Sequence, residues 1–244
     1  MIKGLLFDLN GTLIDIYTSE SDENLYRTLS NFFDYYGIKI PPAILKEEYF
    51  TILRRQKNES SEEFPEFDVV KLFAEIIRKY GSHVKNPPSP ECAATIFRAA
   101  GRYKLELYDG VMCTLEKISK SYRIGAISDG QKIWAESEFK SVGLEKFFHF
   151  SVISSVHGYR KPDPRMFAMA LEKMHLHPHE VIFVGNDMFR DIFGAHAAGM
   201  KTVFFRSNQG EQKFSGAEPD YIIYNFPQLL DAVKFFEKTI NEDL

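Results

Sequence analysis

Short apolar runs that end abruptly in polar side chains recur along this chain, and they constrain its fold more than any other feature. The first run, Ile2 to Phe7, meets Asp8, and two later runs end at Ser128 and at Asn186. Short apolar segments of this kind are typical of strands buried in a parallel sheet. Helical patterns separate them, and strands that alternate with helices predict βαβ units. The chain is therefore predicted to be an α/β protein built on a parallel sheet.

The segment after the first run combines a turn with reactive groups. Ligands bind beyond the carboxyl ends of the strands in open α/β sheets, so Asp8 places a carboxylate at the mouth of the expected cleft. Gly11 lets the chain turn sharply behind it, and Thr12 offers a hydroxyl and a backbone N–H. The alternative interpretation is an ordinary Asn-Gly turn after an N-terminal strand.

A long helical insert interrupts the α/β pattern. Four helices are predicted between Ser19 and Tyr103, over residues 19–36, 42–55, 67–80 and 91–103, with a polar loop at 56–66. The alternation of strands and helices resumes near Tyr108. This division predicts a core domain of residues 1–15 and 105–244 and an inserted helical domain of residues 16–104.

Composition and charge exclude several classes of protein. Of the 244 residues, 44% are hydrophobic, which is enough for a full core, and the net charge of −4 does not suit a nucleic-acid-binding protein. The longest apolar runs are too short to cross a bilayer, and the N-terminus lacks a signal-peptide pattern. Two cysteines make no disulfide framework. We therefore expect a cytoplasmic protein without nucleic-acid or membrane partners; its sequence gives no indication of oligomeric state.

Polar groups from distant parts of the sequence are expected to converge. The carboxyl ends of parallel strands share one edge, which brings together Asp8, Ser128 and the Asn186-Asp187 pair, while Lys161 lies in a proline-flanked loop. Carboxylates with a nearby amide suit Mg²⁺, which prefers oxygen ligands, and a lysine with a hydroxyl suits a phosphate dianion. The chemistry that fits is attack of Asp8 on phosphorus to give an aspartyl-phosphate, with Mg²⁺ and Lys161 offsetting charge.

Four motifs in this order resemble the haloacid dehalogenase (HAD) superfamily of phosphohydrolases: FDLNGTL, AISDG, YRKPDP and VGNDMFRDIFGAHAAGM. The resemblance extends from residue 2 to about residue 206. The helical insert is similar in place and character to the family's C1-type cap. The resemblance implies a Rossmann-like core, Mg²⁺ as cofactor, a small phosphorylated metabolite as substrate, and a cap that closes over that substrate and selects it.

The four motifs give individual residues expected roles, with Asp8 as the nucleophile and the backbone carbonyl of Asn10 as a metal ligand. The catalytic residues are expected to be Asp8, Asn10 and Lys161, the phosphate-binding residues Thr12, Ser128, Asp129 and Lys161, and the metal ligands Asp8, Asn10, Asn186, Asp187 and Asp191.

Two residues depart from the family pattern. The family usually has an Asp, which protonates the leaving group and then deprotonates water, where this chain has Asn10. An amide cannot shuttle a proton, and losing general acid–base help costs about 10²–10⁴ in rate. Asn186 stands where many members have the first Asp of the fourth motif, so either Asn186 or the neighbouring Asp187 is the expected metal ligand.

Three explanations for Asn10 remain open from the sequence. The protein is a phosphatase with another proton donor, for which Glu62 and Glu63 in the polar loop of the insert are candidates. Alternatively, it is a phosphate-ligand-binding or regulatory relative with little catalysis, or the sequence is an engineered trap variant. A 2-haloacid dehalogenase is less expected, because those relatives resemble the pattern with Tyr at this position and the acidic fourth motif here argues for metal.

Overall fold

A computed structural model of the protein describes residues 1–242. The strands are β1 (Gly4–Phe7), β2 (Ile14–Thr18), β3 (Arg102–Leu107), β4 (Arg123–Ser128), β5 (Phe150–Ile153), β6 (Val181–Gly185), β7 (Lys201–Phe205) and β8 (Tyr221–Ile223). The helices are α1 (Glu23–Tyr35), α2 (Pro42–Glu59), α3 (Val69–Gly81), α4 (Pro90–Gly101), α5 (Val111–Ile118), α6 (Lys132–Ser141), α7 (Pro164–Met174), α8 (Gly194–Ala197) and α9 (Leu229–Glu242). A π-helical turn, Met188–Phe193, directly precedes α8.

Six strands form one parallel sheet in the order β5-β4-β1-β6-β7-β8. β1 lies between β4 and β6, with Phe7 opposite Ala126 on one side and Val184 on the other. Alternate β1 side chains face opposite ways: Leu5 joins an apolar cluster with α5 and α9, whereas Leu6 joins one with α7. Both faces of the sheet are covered, which explains the continuous apolar runs in the sequence. The predicted α/β class with a Rossmann-like parallel sheet is confirmed.

The insert between β2 and β3 consists of four helices around an apolar cluster of their own. Tyr49, Phe73 and Phe97 are among its fully buried aromatic residues. α2 continues to Glu59, beyond the end predicted near residue 55. The side chain of Gln56 exchanges two hydrogen bonds with the backbone of Asp68, at 3.3 and 2.8 Å, and this tertiary contact is absent from local sequence patterns.

An antiparallel pair of strands, β2 and β3, connects the insert to the rest of the chain. Ile14 pairs with Leu107 and Ile16 with Leu105. The predictions missed both strands and extended the fourth helix to Tyr103, which instead lies in β3. Both strands are only partly buried, so their patterns are weak, and each needs a partner that lies about ninety residues away in the sequence.

The insert and the sheet share a packed boundary. Trp134 of α6 is buried within the insert's apolar cluster and donates a 2.9 Å hydrogen bond to the carbonyl oxygen of Ala94. Gln131 accepts from the backbone N–H of Val69 and donates to the carbonyl oxygen of Phe67, at 2.9 and 2.8 Å. No helix within residues 1–242 combines the length and apolar character needed to span a bilayer.

Candidate active site

Asp8 lies directly after the central strand, at the edge where β1, β4 and β6 all end. Its side chain is buried, and each of its two carboxylate oxygens accepts a hydrogen bond. Lys161 Nζ donates to Asp8 Oδ1 at 2.7 Å, and the hydroxyl of Thr12 donates to Oδ2 at 3.1 Å. The structure therefore brings together three residues that are separated by up to 153 positions in the sequence.

Lys161 bridges two carboxylates. Its Nζ also donates to Asp191 Oδ1 at 2.7 Å and to the carbonyl oxygen of Ile127 at 3.1 Å, and the residue is 2% exposed. Burial by itself would lower the pKa of Lys161, but the carboxylates of Asp191 and Asp8 outweigh burial and hold that pKa above its usual value. The amine therefore carries a positive charge between the two acids throughout the neutral pH range.

Asp191 fixes the loop after β6. Its Oδ2 accepts hydrogen bonds from the backbone N–H groups of Asn186 and Asp187, each at 3.0 Å. Burial raises the pKa of Asp191, and the neighbouring Lys161 opposes that shift. Through these hydrogen bonds Asp191 orients the loop after β6 and the side chain of Lys161.

Asp187 caps the π-helical turn. Its carboxylate accepts from the backbone N–H groups of Phe189 and Arg190, from the Arg190 guanidinium at 2.7 and 3.0 Å, and from the N–H of Glu211. Partial burial would raise the pKa of Asp187, but the hydrogen bonds from Arg190 hold it below its usual value. The carboxylate is thus occupied by local contacts.

Asn186 points its amide toward the Asp8 loop. Its Oδ1 lies 3.0 Å from the Thr12 hydroxyl oxygen, whose single proton is shared between this amide oxygen and Asp8 Oδ2. The backbone of Gly11 lies against this amide and has a φ of +88°, a conformation that favours glycine. A Cβ at Gly11 would lie only 2.3 Å from Asn186 Nδ2. The Asn-Gly turn identified from the sequence therefore lets the nucleophile loop approach the fourth motif closely.

Ser128 and Asp129 follow β4 on the other side of Asp8. Asp129 Oδ1 accepts from the backbone N–H of Lys161 at 3.0 Å, whereas Oδ2 is buried without a hydrogen bond, and its nearest cation is Arg190 Nη1 at 3.9 Å. Burial raises the pKa of Asp129, although Lys161 and Arg190 oppose the shift. Ser128 is buried beside it and borders the same cavity.

Two cavities open at this edge of the sheet, and Asn10, Arg98, Asp129 and Arg190 border both of them. One, of about 440 Å³, lies between the insert and the core; the other, of about 690 Å³, lies beside β2. Sequence reasoning missed Arg98 and Arg190 as wall residues. Arg190 could have been found, because it lies inside the fourth motif. Arg98 could not, because it is one of many charged residues in the helical insert.

The two acids proposed as proton donors, Glu62 and Glu63, do not border either cavity. Glu62 forms an ion pair with Arg165, and Glu63 is exposed. Lys57 of the insert borders the smaller cavity. Another acid of the same loop, Glu66, borders the cavity and accepts a hydrogen bond from Ser154 at 2.8 Å.

The residues at this edge fit Mg²⁺ by the type of their donor atoms. Asp8, the carbonyl of Asn10 and the amide of Asn186 supply the oxygen ligands that a hard cation prefers. Within residues 1–242, no group of three or more His, Cys, Asp or Glu side chains is arranged to hold a metal. A metal here therefore depends on backbone and amide oxygens in addition to Asp8.

The sequence profile of the haloacid dehalogenase-like hydrolases matches residues 2–199. The chain belongs to this family. All four predicted motifs lie wholly or almost wholly within the match, and the predicted family and hydrolase class are confirmed. The matched range also includes the helical insert of this HAD-like hydrolase and the loop with Lys161.

Several relatives of the chain are named as phosphatases. The hydrolase is 29% identical over 237 residues to the glyceraldehyde 3-phosphate phosphatase of Pyrococcus furiosus, covering 96% of this chain and 93% of the relative. It is 26% identical over 235 residues to the pyrophosphatase PpaX of Bacillus velezensis, covering 94% and 95%. Among solved structures, a 2-haloacid dehalogenase from Pseudomonas syringae superposes with a TM-score of 0.68 at 22% identity, covering 97% of this chain and 100% of that one. This last likeness shows the fold.

Proposed function

We propose that this HAD-like hydrolase is a Mg²⁺-dependent phosphatase of a small phosphorylated metabolite, acting through an aspartyl-phosphate on Asp8. The observation that carries the proposal is the buried contact of Asp8 with Lys161, at 2.7 Å, at the carboxyl end of the central strand. A carboxylate held beside a permanent cation suits attack on an anionic phosphoryl group. The phosphatase names of two relatives support the same reaction class.

Asp8, the main-chain carbonyl of Asn10 and the side-chain oxygen of Asn186 are the residues that would hold Mg²⁺. We assign this role to Asn186 rather than Asp187, because Asp187 already accepts hydrogen bonds from Arg190 and from backbone N–H groups. Asp191 supports the site by holding Lys161 and the loop of Asn186. When bound, Mg²⁺ supplies positive charge that neutralises the phosphoryl oxygens.

The chain's own residues bind and orient the phosphoryl group. The Ser128 hydroxyl and Lys161 Nζ are proposed to donate to its oxygens, while one oxygen of Asp8 attacks phosphorus. Thr12 holds Asp8 in place through its 3.1 Å hydrogen bond. The P–O bond to the leaving group breaks as the Asp8–phosphorus bond forms, and water later cleaves the phosphoryl group from Asp8.

Residues 16–104 are proposed to act as the cap, and residues 1–15 and 105–244 as the core. The smaller cavity lies between these two parts and has side chains from both, including Leu53 and Lys57 from the insert and Arg160 from the core. Its volume of about 440 Å³ suits a small metabolite. We include a cytoplasmic location in the proposal, because Cys92 and Cys113 are both free.

A hydrolysis assay with p-nitrophenyl phosphate tests the proposal. We expect turnover with Mg²⁺, loss of turnover with EDTA, and loss of turnover in Asp8→Asn. Asp34→Asn, at an exposed position on α1, is the matched control and should keep wild-type turnover. Turnover that survives EDTA, or that survives Asp8→Asn, contradicts the proposed reaction.

A second candidate, a phosphate-binding or regulatory protein with little catalysis, is favoured by one observation. The residue at the usual general acid–base position is Asn10, whose amide N–H groups are too weakly acidic to give up a proton. In that case, calorimetry detects binding of inorganic phosphate in the presence of Mg²⁺, while no phosphate ester is hydrolysed. A dehalogenase would instead release chloride from 2-chloropropionate, which we do not expect.

A further inference from the structure

Asp129 stands out because half of its carboxylate is buried without a hydrogen bond. Its Oδ1 accepts from the backbone N–H of Lys161 at 3.0 Å, but Oδ2 accepts from no donor within residues 1–242. The side chain is only 8% exposed. A buried carboxylate oxygen without a partner is costly, and such an atom is most easily explained by a ligand or by a catalytic task.

Asp129 lies at the edge of the sheet where the substrate is expected to bind. Asp129 borders both cavities, and so does Asn10. Its backbone neighbour Ser128 is proposed to bind the phosphoryl group, and its hydrogen-bond partner Lys161 contacts the nucleophile Asp8. Asp129 therefore borders the space in which the proposed substrate would bind.

The other acids that border these cavities are already engaged. Glu138 binds Arg98, Glu66 accepts from Ser154, and Asp15 binds Lys104 and Gln209, while Glu20 accepts from Tyr49. Among the described residues, Asp129 is the only acid that borders both cavities. Asp129 is therefore the best placed acid for proton transfer.

We infer that Asp129 is the general acid–base of the proposed reaction, in the role that Asn10 cannot perform. In the first half, Asp8 bonds to phosphorus, the P–O bond to the leaving group breaks, and the proton of Asp129 passes to the leaving oxygen to give an alcohol. In the second half, water attacks phosphorus and gives a proton to the Asp129 carboxylate. The P–O bond to Asp8 then breaks, which releases phosphate and restores Asp8. This inference rests on the proposed phosphatase function.

The charges around Asp129 suit a group that changes its protonation state. The cations Lys161 and Arg190 favour the carboxylate form of Asp129, whereas burial and the negative charge of Asp191 favour the protonated form. The second pair of effects is the larger, so the pKa of Asp129 is raised. The bound proton required in the first half is therefore easier to hold here than on an exposed Asp.

The test uses two substrates that differ in their need for a proton. The p-nitrophenolate group leaves without one, whereas benzyl phosphate releases an alkoxide that needs one. In Asp129→Asn we expect kcat/KM for benzyl phosphate to fall about 10²–10⁴-fold, while kcat/KM for p-nitrophenyl phosphate stays within about tenfold of wild type. Because dephosphorylation also needs the base, p-nitrophenol should appear as a stoichiometric burst followed by slow turnover.

Two further variants separate proton transfer from a structural role. The double variant Asn10→Asp/Asp129→Asn exchanges acid and amide, and it should recover benzyl phosphate turnover. Glu47→Gln removes an exposed carboxylate of α2 in the insert and should leave the ratio of the two substrates unchanged.

Several results would overturn the inference. Equal losses of kcat/KM on both substrates in Asp129→Asn, or a double variant as slow as Asp129→Asn, mean that the side chain only shapes the site. If the wild-type enzyme hydrolyses p-nitrophenyl phosphate but not benzyl phosphate, Asp129 is not a general acid, and the proposed phosphatase function is unaffected. If it hydrolyses neither substrate, both the role of Asp129 and the proposed phosphatase function are wrong.

Discussion

Lys161 is the residue on which the charge balance of the site depends. It contacts the carboxylates of Asp8 and Asp191 at 2.7 Å each, and all three side chains are buried. Removing one partner of a buried ionic network leaves uncompensated charge, which is far more costly than the loss of an exposed ion pair.

Lys161→Met should lower the free energy of unfolding by about 3–5 kcal/mol, because two buried carboxylates lose their shared cation. Urea unfolding followed by circular dichroism measures the change. Lys201→Met is the control: Lys201 lies 3.5 Å from Asp220, its side chain is 44% exposed, and the expected cost is below about 1 kcal/mol. Equal costs in the two variants would show that the buried contacts are not the source of the loss.

At the scale of elements, an ion pair joins α6 of the core to α4 of the insert. Arg98 of α4 donates two hydrogen bonds to Glu138 of α6, at 2.6 and 3.1 Å, and its guanidinium lies 5.1 Å from the ring centre of Trp134. The Glu138 side chain is 3% exposed and that of Arg98 is 14% exposed. This contact fixes α4 against α6 along one wall of the smaller cavity.

Glu138→Ala should cost about 3 kcal/mol of unfolding free energy, because it leaves Arg98 largely buried without its carboxylate. Glu136→Ala, on the exposed side of the same helix, is the matched control. Glu136 lies 3.6 Å from Lys132 with both side chains well exposed, so its loss should cost less than about 0.5 kcal/mol. A Glu138→Ala protein as stable as Glu136→Ala would contradict the assigned role. Urea unfolding provides both values.

At the scale of the whole molecule, the insert does not pack independently of the sheet. Trp134, the only tryptophan of the chain, extends from α6 into the insert's apolar cluster and stacks on Phe97, with ring centres 6.0 Å apart. Gln131 binds the backbone of the insert from the core side. These contacts couple the two parts energetically.

We therefore expect a single cooperative unfolding transition. Trp134 fluorescence, which reports on the junction, and far-ultraviolet circular dichroism, which reports on the whole chain, should give the same urea midpoint. Fluorescence that changes at lower urea than circular dichroism would show that the junction opens before the sheet unfolds.

The sequence by itself determined the sheet and the list of reactive residues. Strands buried on both faces carry continuous apolar runs, and each run stops where polar residues begin, so β1, β4 and β6 and their polar ends were identifiable without coordinates. The four motifs added the family, which the comparison confirms. The roles of Asp8, Ser128 and Lys161 remain predictions for the assays described above.

Only the tertiary structure decided which groups meet. The β2–β3 pair, the hydrogen bonds that engage Asp187, and the unbonded oxygen of Asp129 all depend on partners far away in sequence or on the fold around them. Local sequence patterns indicate whether a side chain is buried, but they do not indicate which hydrogen-bond donor lies next to it in the folded chain. For that reason the sequence suggested Glu62 and Glu63 as proton donors, whereas the folded chain points to Asp129.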